Sequence, residues 1–312
     1  MSRRNTLLEF WRFLFCIAVL GFHFFSKTTL NFFHAGYLGV EFFFIVSGYF
    51  IASHYEKYKP GAFFTEKARF IFSYVFSRLK RLYPLYLLAL LMMLFVKTIF
   101  NRYNIFQVLS LLKDCFAEFF LLQWTPLGKE VLISAGWFVP SVFWGGLLFL
   151  LLLVLTGRFG GLILSPLVSF FIYRYYFHLI GKIDVIYAHH SVIRGIAGIG
   201  LGVFLYFICR PLSSRIKEVK NAPLLSLSCF IVANLIFTFT FIYTNFGHRS
   251  KLDFLIIFLY AVALLLFMCT SQALSDHIPE KPGNTFLFLG KLTYPIYVLQ
   301  MPFIETLFYL IG

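Results

Sequence analysis

Nine apolar runs, each long enough to cross a lipid bilayer, dominate the 312-residue chain. They are Leu7–Phe25, Tyr37–His54, Tyr83–Phe100, Gly136–Leu155, Gly160–Phe177, Val192–Cys209, Pro223–Tyr243, Leu252–Thr270 and Phe286–Ile311. A helix needs about 20 such residues to span the hydrocarbon core, and it satisfies its own backbone where no water can. Two further segments are amphipathic. Phe63–Leu82 is basic, and Asn104–Trp124 carries Lys113, Asp114 and Glu118, which suits a helix lying at an interface. The expected fold is an all-α polytopic transmembrane bundle of nine spans, or ten if Asn104–Trp124 passes fully through. The whole of 1–312 reads as one integral membrane domain with no separate soluble domain.

Composition agrees. The chain is 60% hydrophobic and 13% charged, whereas soluble domains are about 45–50% apolar and about 25% charged. Aromatic residues reach 21%, as lipid contact and interfacial belts favour. The five cysteines form no CxxC pair, so neither a disulfide framework nor a zinc site is indicated, and no metal is expected. Met1–Phe25 has the charged start of a signal peptide but no small-residue cleavage site, and reads as a retained first span.

The net charge of +14 is spread between the apolar runs. With the N-terminus inside, the inner segments hold 15 cations: Arg3, Arg4, Lys57, Lys59, Lys67, Arg69, Arg78, Lys80, Arg81, Arg158, Arg210, Arg215, Lys217, Lys220 and Lys281. The outer loops hold 7: Lys27, Arg102, Lys113, Lys129, Lys182, Arg249 and Lys251. This bias favours a cytoplasmic N-terminus. It also suits an anionic ligand at the inner face. No soluble basic domain exists to hold nucleic acid.

Polar residues inside the spans are the functional candidates, because a charged side chain at mid-membrane costs about 2.5–3.5 kcal/mol on insertion scales. Arg12 and His23 lie eleven residues apart in the first span. At about 100° per residue they leave the same helix face, separated along it by about 16 Å. One face thus offers a cation near the inner side and a titratable base near the outer. The alternative is that Arg12 snorkels to headgroups and His23 packs at the interface. Glu41 begins the antiparallel second span and is expected at the depth of His23, where a carboxylate can orient an imidazole; otherwise it faces water. Arg78 and Arg81 are one turn apart at the inner mouth, a pairing suited to phosphate or to anionic lipid. Gly198 and Gly202 form a GxxxG packing face, and Ser47 and Gly48 permit close helix approach.

Together these segments resemble the acyltransferase family 3 membrane proteins, which include bacterial O-acetyltransferases of surface polysaccharides. Arg12 to His23 resembles the family's Arg-x10-His element. Gly39-Val-Glu-Phe-Phe-Phe-Ile-Val-Ser-Gly48 is similar to its glycine-valine-acid, Ser-Gly segment. Arg78-Leu-Lys-Arg81-Leu-Tyr-Pro84 resembles its basic segment ending in proline, Arg194 to Gly202 its later Arg-Gly element, and Leu289-Gly-Lys-Leu-Thr-Tyr294-Pro-Ile-Tyr297 its C-terminal element. Glu41 stands where Asp is common, Gln300 where a His is frequent, and the stretch Gly136–Ser141 has the Trp but not the acid of many members.

The resemblance implies transfer of an acyl group, most often acetyl, from cytoplasmic acyl-CoA to a hydroxyl of a sugar or glycan outside the bacterial cytoplasmic membrane. Arg12, Arg78 and Arg81 would bind the donor's phosphates; His23 would be general base or transient acyl carrier, oriented by Glu41. Two other readings stay open: a transporter or flippase for an anionic or lipid-linked substrate, and an inactive partner in a polysaccharide-synthesis complex. The absence of a visible internal repeat speaks against a transporter built on inverted repeats.

Overall fold

The computed structural model describes residues 6–61, 63–185, 189–219, 221–275 and 280–311. Arg3, Arg4 and Lys220, counted above among the inner cations, lie outside them. The described residues contain eleven α-helices and no strand. They are α1 (Thr6–Phe25), α2 (Gly39–Lys57), α3 (Phe64–Phe100), α4 (Ile105–Asp114), α5 (Phe116–Phe119), α6 (Phe138–Thr156), α7 (Ser165–Tyr175), α8 (His190–Glu218), α9 (Ala222–Phe246), α10 (Leu252–Ser275) and α11 (Glu280–Ile311). Nine stretches among them are long and apolar enough to cross a membrane. The chain is a multi-pass membrane protein, and its spans alternate between a face bearing Lys57 and a face bearing His23.

The two amphipathic segments resolve differently. Asn104–Trp124 does not cross. Its helices are ten and four residues long, the first closed by a capping box in which Asn104 and Gln107 each accept the other's backbone N–H. The basic segment, expected to stand apart from the third span, instead runs straight into it as the 37-residue α3. Pro84 sits inside that helix and withholds one backbone N–H, a defect that neighbouring helices offset in membranes. Close by, Tyr294 of α11 donates its hydroxyl to the Leu82 carbonyl at 2.6 Å. At 1.5 Å per residue α3 is about 55 Å long, so it extends well beyond a core of about 30 Å.

α2 and α8 form the most deeply buried helix pair. Glycine permits their approach: a Cβ on Gly48 would strike the Ile199 carbonyl, and one on Gly202 the Ile45 carbonyl. A Cβ on Gly198 would meet the Cβ of Phe44 at 2.6 Å. Around this pair lie α6, α7 and α10, while α1 packs along α11 and α9 along α10. Fully buried Phe15, Phe42, Phe237 and Tyr260 interlock where α1, α2, α9 and α10 meet.

The 26–38 connection turns back into the bundle. Phe33 lies over Gly21. Its backbone N–H donates to Asn245 Oδ1 at 2.9 Å, and the Ala35 N–H donates to the Thr244 carbonyl at 3.0 Å. A Cβ on Gly39 would meet the Phe15 carbonyl at 2.8 Å. The second span therefore starts level with the middle of α1, not with its His23 end.

Candidate active site

Arg12, Cys16, Val19 and His23 follow one another at intervals of four, three and four residues, which keeps them on one stripe of α1. Around Cys16 that stripe packs on α11, while Val19 meets Gly39 of α2. The Cys16 thiol donates to the Thr293 carbonyl at 3.3 Å, a Cβ on Gly290 would strike Glu9, and the Lys27 ammonium bonds Glu305 at 2.6 Å. α1 and α11 thus run parallel, and the pairs Cys16–Thr293 and Lys27–Glu305 place Gln300 level with residues 22 and 23.

Arg12 is half-buried and paired: Nη1 donates to Glu9 Oε2 at 2.7 Å. Its Nε is buried and lacks a hydrogen-bond partner. His23 lies in the last turn of α1, half-buried, its ring 5.1 Å from that of Phe22. Arg249 lies over the other side of this corner, 5.6 Å from the Phe22 and Tyr37 rings, and its Nε donates to Asp184 at 2.7 Å.

Glu41 is not brought to His23. Its neighbours on α2 face Phe15, about two turns or 12 Å below the histidine. Its carboxylate accepts from Arg194 Nε and, at 3.1 Å, from the Tyr173 hydroxyl. Arg194 has no exposed surface. It donates further to the Tyr37 carbonyl at 3.1 Å and to Asp184 at 3.3 Å, and its guanidinium lies 5.0 Å from the Trp137 ring. The acid expected to orient the base orients a buried arginine, because the turned-in 26–38 connection sets α2 deeper than a loop held outside the bundle would.

Arg78 and Arg81 lie on α3 near the Lys57 face. The Arg78 guanidinium stacks 5.0 Å above the Tyr74 ring, which lies 5.6 Å from His54. Next to them is a cleft of about 580 Å³, lined by His54, Tyr58, Glu66, Arg69, Phe70 and Ser73. Arg81 is exposed, one residue before the Leu82 carbonyl that Tyr294 holds. The Tyr294 contact sets Leu82 beside the α11 turn that packs on Cys16, and Arg78 lies a further turn toward the Lys57 face.

Sequence reasoning passed over two features. Asp184, in the short 181–189 connection, couples Arg194 to Arg249; an isolated acid in a loop gives no periodic signal. Glu118, read only as an interfacial charge, is completely buried. It accepts backbone N–H groups from Leu132 and, at 3.2 Å, Ile133, with the Tyr86 hydroxyl at 3.5 Å. Burial pushes its carboxyl up to about 7, against the downward pull of those hydrogen bonds and of Lys97. It pins the 101–133 excursion to the start of α6.

Comparison with curated proteins found no match, and none was found among solved structures. The profile of the acyltransferase domain family, however, matches residues 5–312. That match takes in the Arg12–His23 stripe, the buried Glu41–Arg194 centre and the α3 arginines, and the chain belongs to acyltransferase family 3.

Proposed function

We propose that this membrane acyltransferase takes an acyl group, acetyl in the simplest case, from cytoplasmic acyl-CoA and places it on a hydroxyl of a sugar or glycan at the outer side of a bacterial cytoplasmic membrane. The observation that carries this reading is the single stripe of α1 that runs from Arg12 to His23, with a guanidinium at one end and an imidazole at the other.

The polarity suits an anionic donor. Its nucleotide end would meet Arg78 and Arg81, where guanidinium groups bind phosphate well. The adjoining cleft offers Phe70, Tyr58 and His54 as faces for a base and Arg69 as a further cation. Arg12, whose Nη1 serves Glu9, keeps its Nε for the donor at the foot of the stripe. The thin pantetheine arm would follow the stripe toward His23.

At His23 the acceptor hydroxyl gives its proton to the imidazole as its oxygen attacks the thioester carbon. The carbon–oxygen bond forms, the carbon–sulfur bond breaks, and the departing thiolate takes the proton from the imidazolium. The products are an ester and the free thiol of CoA. Glu41 acts in this reading as a positioning residue, holding Arg194 and through it the His23 face.

The test is thiol release from acetyl-CoA by the protein in proteoliposomes, with a soluble sugar acceptor. Protein-dependent release that grows with acceptor concentration is expected. No release, with protein-dependent movement of a lipid-linked or anionic substrate across the same vesicles, would establish the transporter reading instead.

A further inference from the structure

Eight buried side-chain nitrogen and oxygen atoms among the described residues have no hydrogen-bond partner, and five of them lie on α1 and α11: Thr6 Oγ1, Arg12 Nε, Thr293 Oγ1 and both amide atoms of Gln300. Buried polar groups are nearly always hydrogen-bonded, so a concentration on one helix pair calls for an explanation. The register given by Cys16–Thr293 and Lys27–Glu305 orders these groups by depth. Thr6 lies lowest, Arg12 next, Thr293 level with Cys16, and Gln300 level with His23. On α11, Thr293, Tyr297 and Gln300 are spaced four and three residues apart and share a face. Thr293 is 4% exposed and Gln300 3%.

We propose that the α1–α11 seam is the track of the acyl donor's pantetheine arm, with Thr293 holding an amide of the arm and Gln300 donating its side-chain N–H to the carbonyl oxygen of the reacting thioester. The inference rests on the acyl-CoA reading above and assigns it two further residues. The ligand chemistry fits the seam. A pantetheine arm is thin and carries two amides, each with a donor and an acceptor, and it ends in the thioester carbonyl. Hydroxyl, guanidinium N–H and carboxamide are groups that pair with amides and carbonyls. Thr293 and Gln300 are seven residues apart, about 10 Å along the helix, so one can serve the arm while the other reaches its tip.

Gln300 stands at the depth of the base. When the acceptor oxygen attacks, negative charge develops on the thioester carbonyl oxygen, and an N–H aimed at it there stabilises the transition state more than the ground state. The charge is discharged as the carbon–sulfur bond breaks and the thiolate collects the proton from His23. Thr293 contacts the arm equally in both states.

The two roles separate kinetically. Gln300→Met keeps chain length and removes the donor, so kcat should fall by about 10²–10³-fold with the KM for acetyl-CoA little changed. Thr293→Val is nearly isosteric and should raise that KM by about tenfold while kcat is kept. If both groups were merely unpaired core residues, removing them would leave kinetics unchanged and raise the melting temperature. Wild-type kcat in Gln300→Met at normal abundance overturns the assignment of Gln300, and an unchanged KM in Thr293→Val overturns the track. Should Gln300→Met fail to accumulate, Gln300→Leu is held to the same result. A wild-type protein that releases no thiol from acetyl-CoA defeats the functional reading itself, whereas an active wild type with unaffected variants defeats only this inference.

Discussion

Glu41 and Arg194 form an ion pair with no solvent-exposed side-chain surface on either partner, tying α2 to α8 at the depth of Phe15. Such a pair gains little over apolar packing of the same volume, but removing one member leaves an uncompensated charge in a medium that cannot solvate it. Glu41→Leu or Arg194→Leu alone should cost about 3–5 kcal/mol. The double variant should recover much of that loss, because Asp184 retains Arg249 as a partner. Unfolding of the four proteins in detergent, read as a double-mutant cycle, checks this. Additive losses would show that the two residues act separately.

The approach of α2 and α8 allows no side chain at Gly202, where a Cβ would overlap the Ile45 carbonyl. Backbone cannot yield as the end of a flexible side chain can, so even Gly202→Ala should sharply lower the yield of folded protein. Gly181→Ala offers the comparison: its φ of +77° makes the substitution strained, yet the space around it is open. It should cost about 1 kcal/mol. Equal folded yields for the two variants, by gel filtration in detergent, would contradict the packing account.

The sequence carries much of this architecture in its periodicity. Nine apolar runs match the nine stretches, among the described residues, that are long and apolar enough to cross a membrane, and the eleven-residue spacing of Arg12 and His23 sets them on one stripe, as helix geometry requires. The Gly198–Gly202 face was legible for the same reason. The depth of Glu41 was not, since it depends on Phe33 and Ala35 turning back to meet α9, a long-range contact with no local pattern. The length of α3 was obscured by Pro84 and by basic residues that interrupt the apolar pattern. Glu118 looked like surface because its partners are backbone N–H groups, which leave no mark in the side-chain sequence.

Glu118 predicts a pH dependence of stability. In the fold its carboxyl holds a proton up to about pH 7, against an ordinary value of 4.5. Between those values the native state binds more protons than the unfolded chain, so stability falls as pH rises from about 4.5 to about 7 and changes little from this source above that. Glu118→Gln should remove this slope and melt higher than wild type at pH 8. Melting temperatures across pH 5–8 in one detergent test it; an identical slope in the variant would assign the effect to other groups.

Arg78 and Arg81 should govern donor affinity and not the chemical step. Phosphates far from the reacting carbon are bound alike in ground and transition states, so Arg78→Ala with Arg81→Ala should raise the KM for acetyl-CoA by about tenfold or more at little cost in kcat. S-acetylpantetheine, which lacks the nucleotide, should be used equally by variant and wild type. A collapse of kcat with KM unchanged would remove the phosphate role.

His23 is the residue on which the account depends, and the rate of acyl transfer by His23→Gln tests it most directly. Glutamine preserves size and hydrogen bonding but has no basicity, so the variant should insert, fold and bind donor as wild type does. Loss of a general base typically costs about 10²–10⁴-fold. The predicted result is therefore wild-type abundance and donor KM, with ester formation from acetyl-CoA reduced by about 10²-fold or more. Near-normal turnover in His23→Gln at normal abundance would make the histidine an interfacial packing residue and contradict the proposed mechanism.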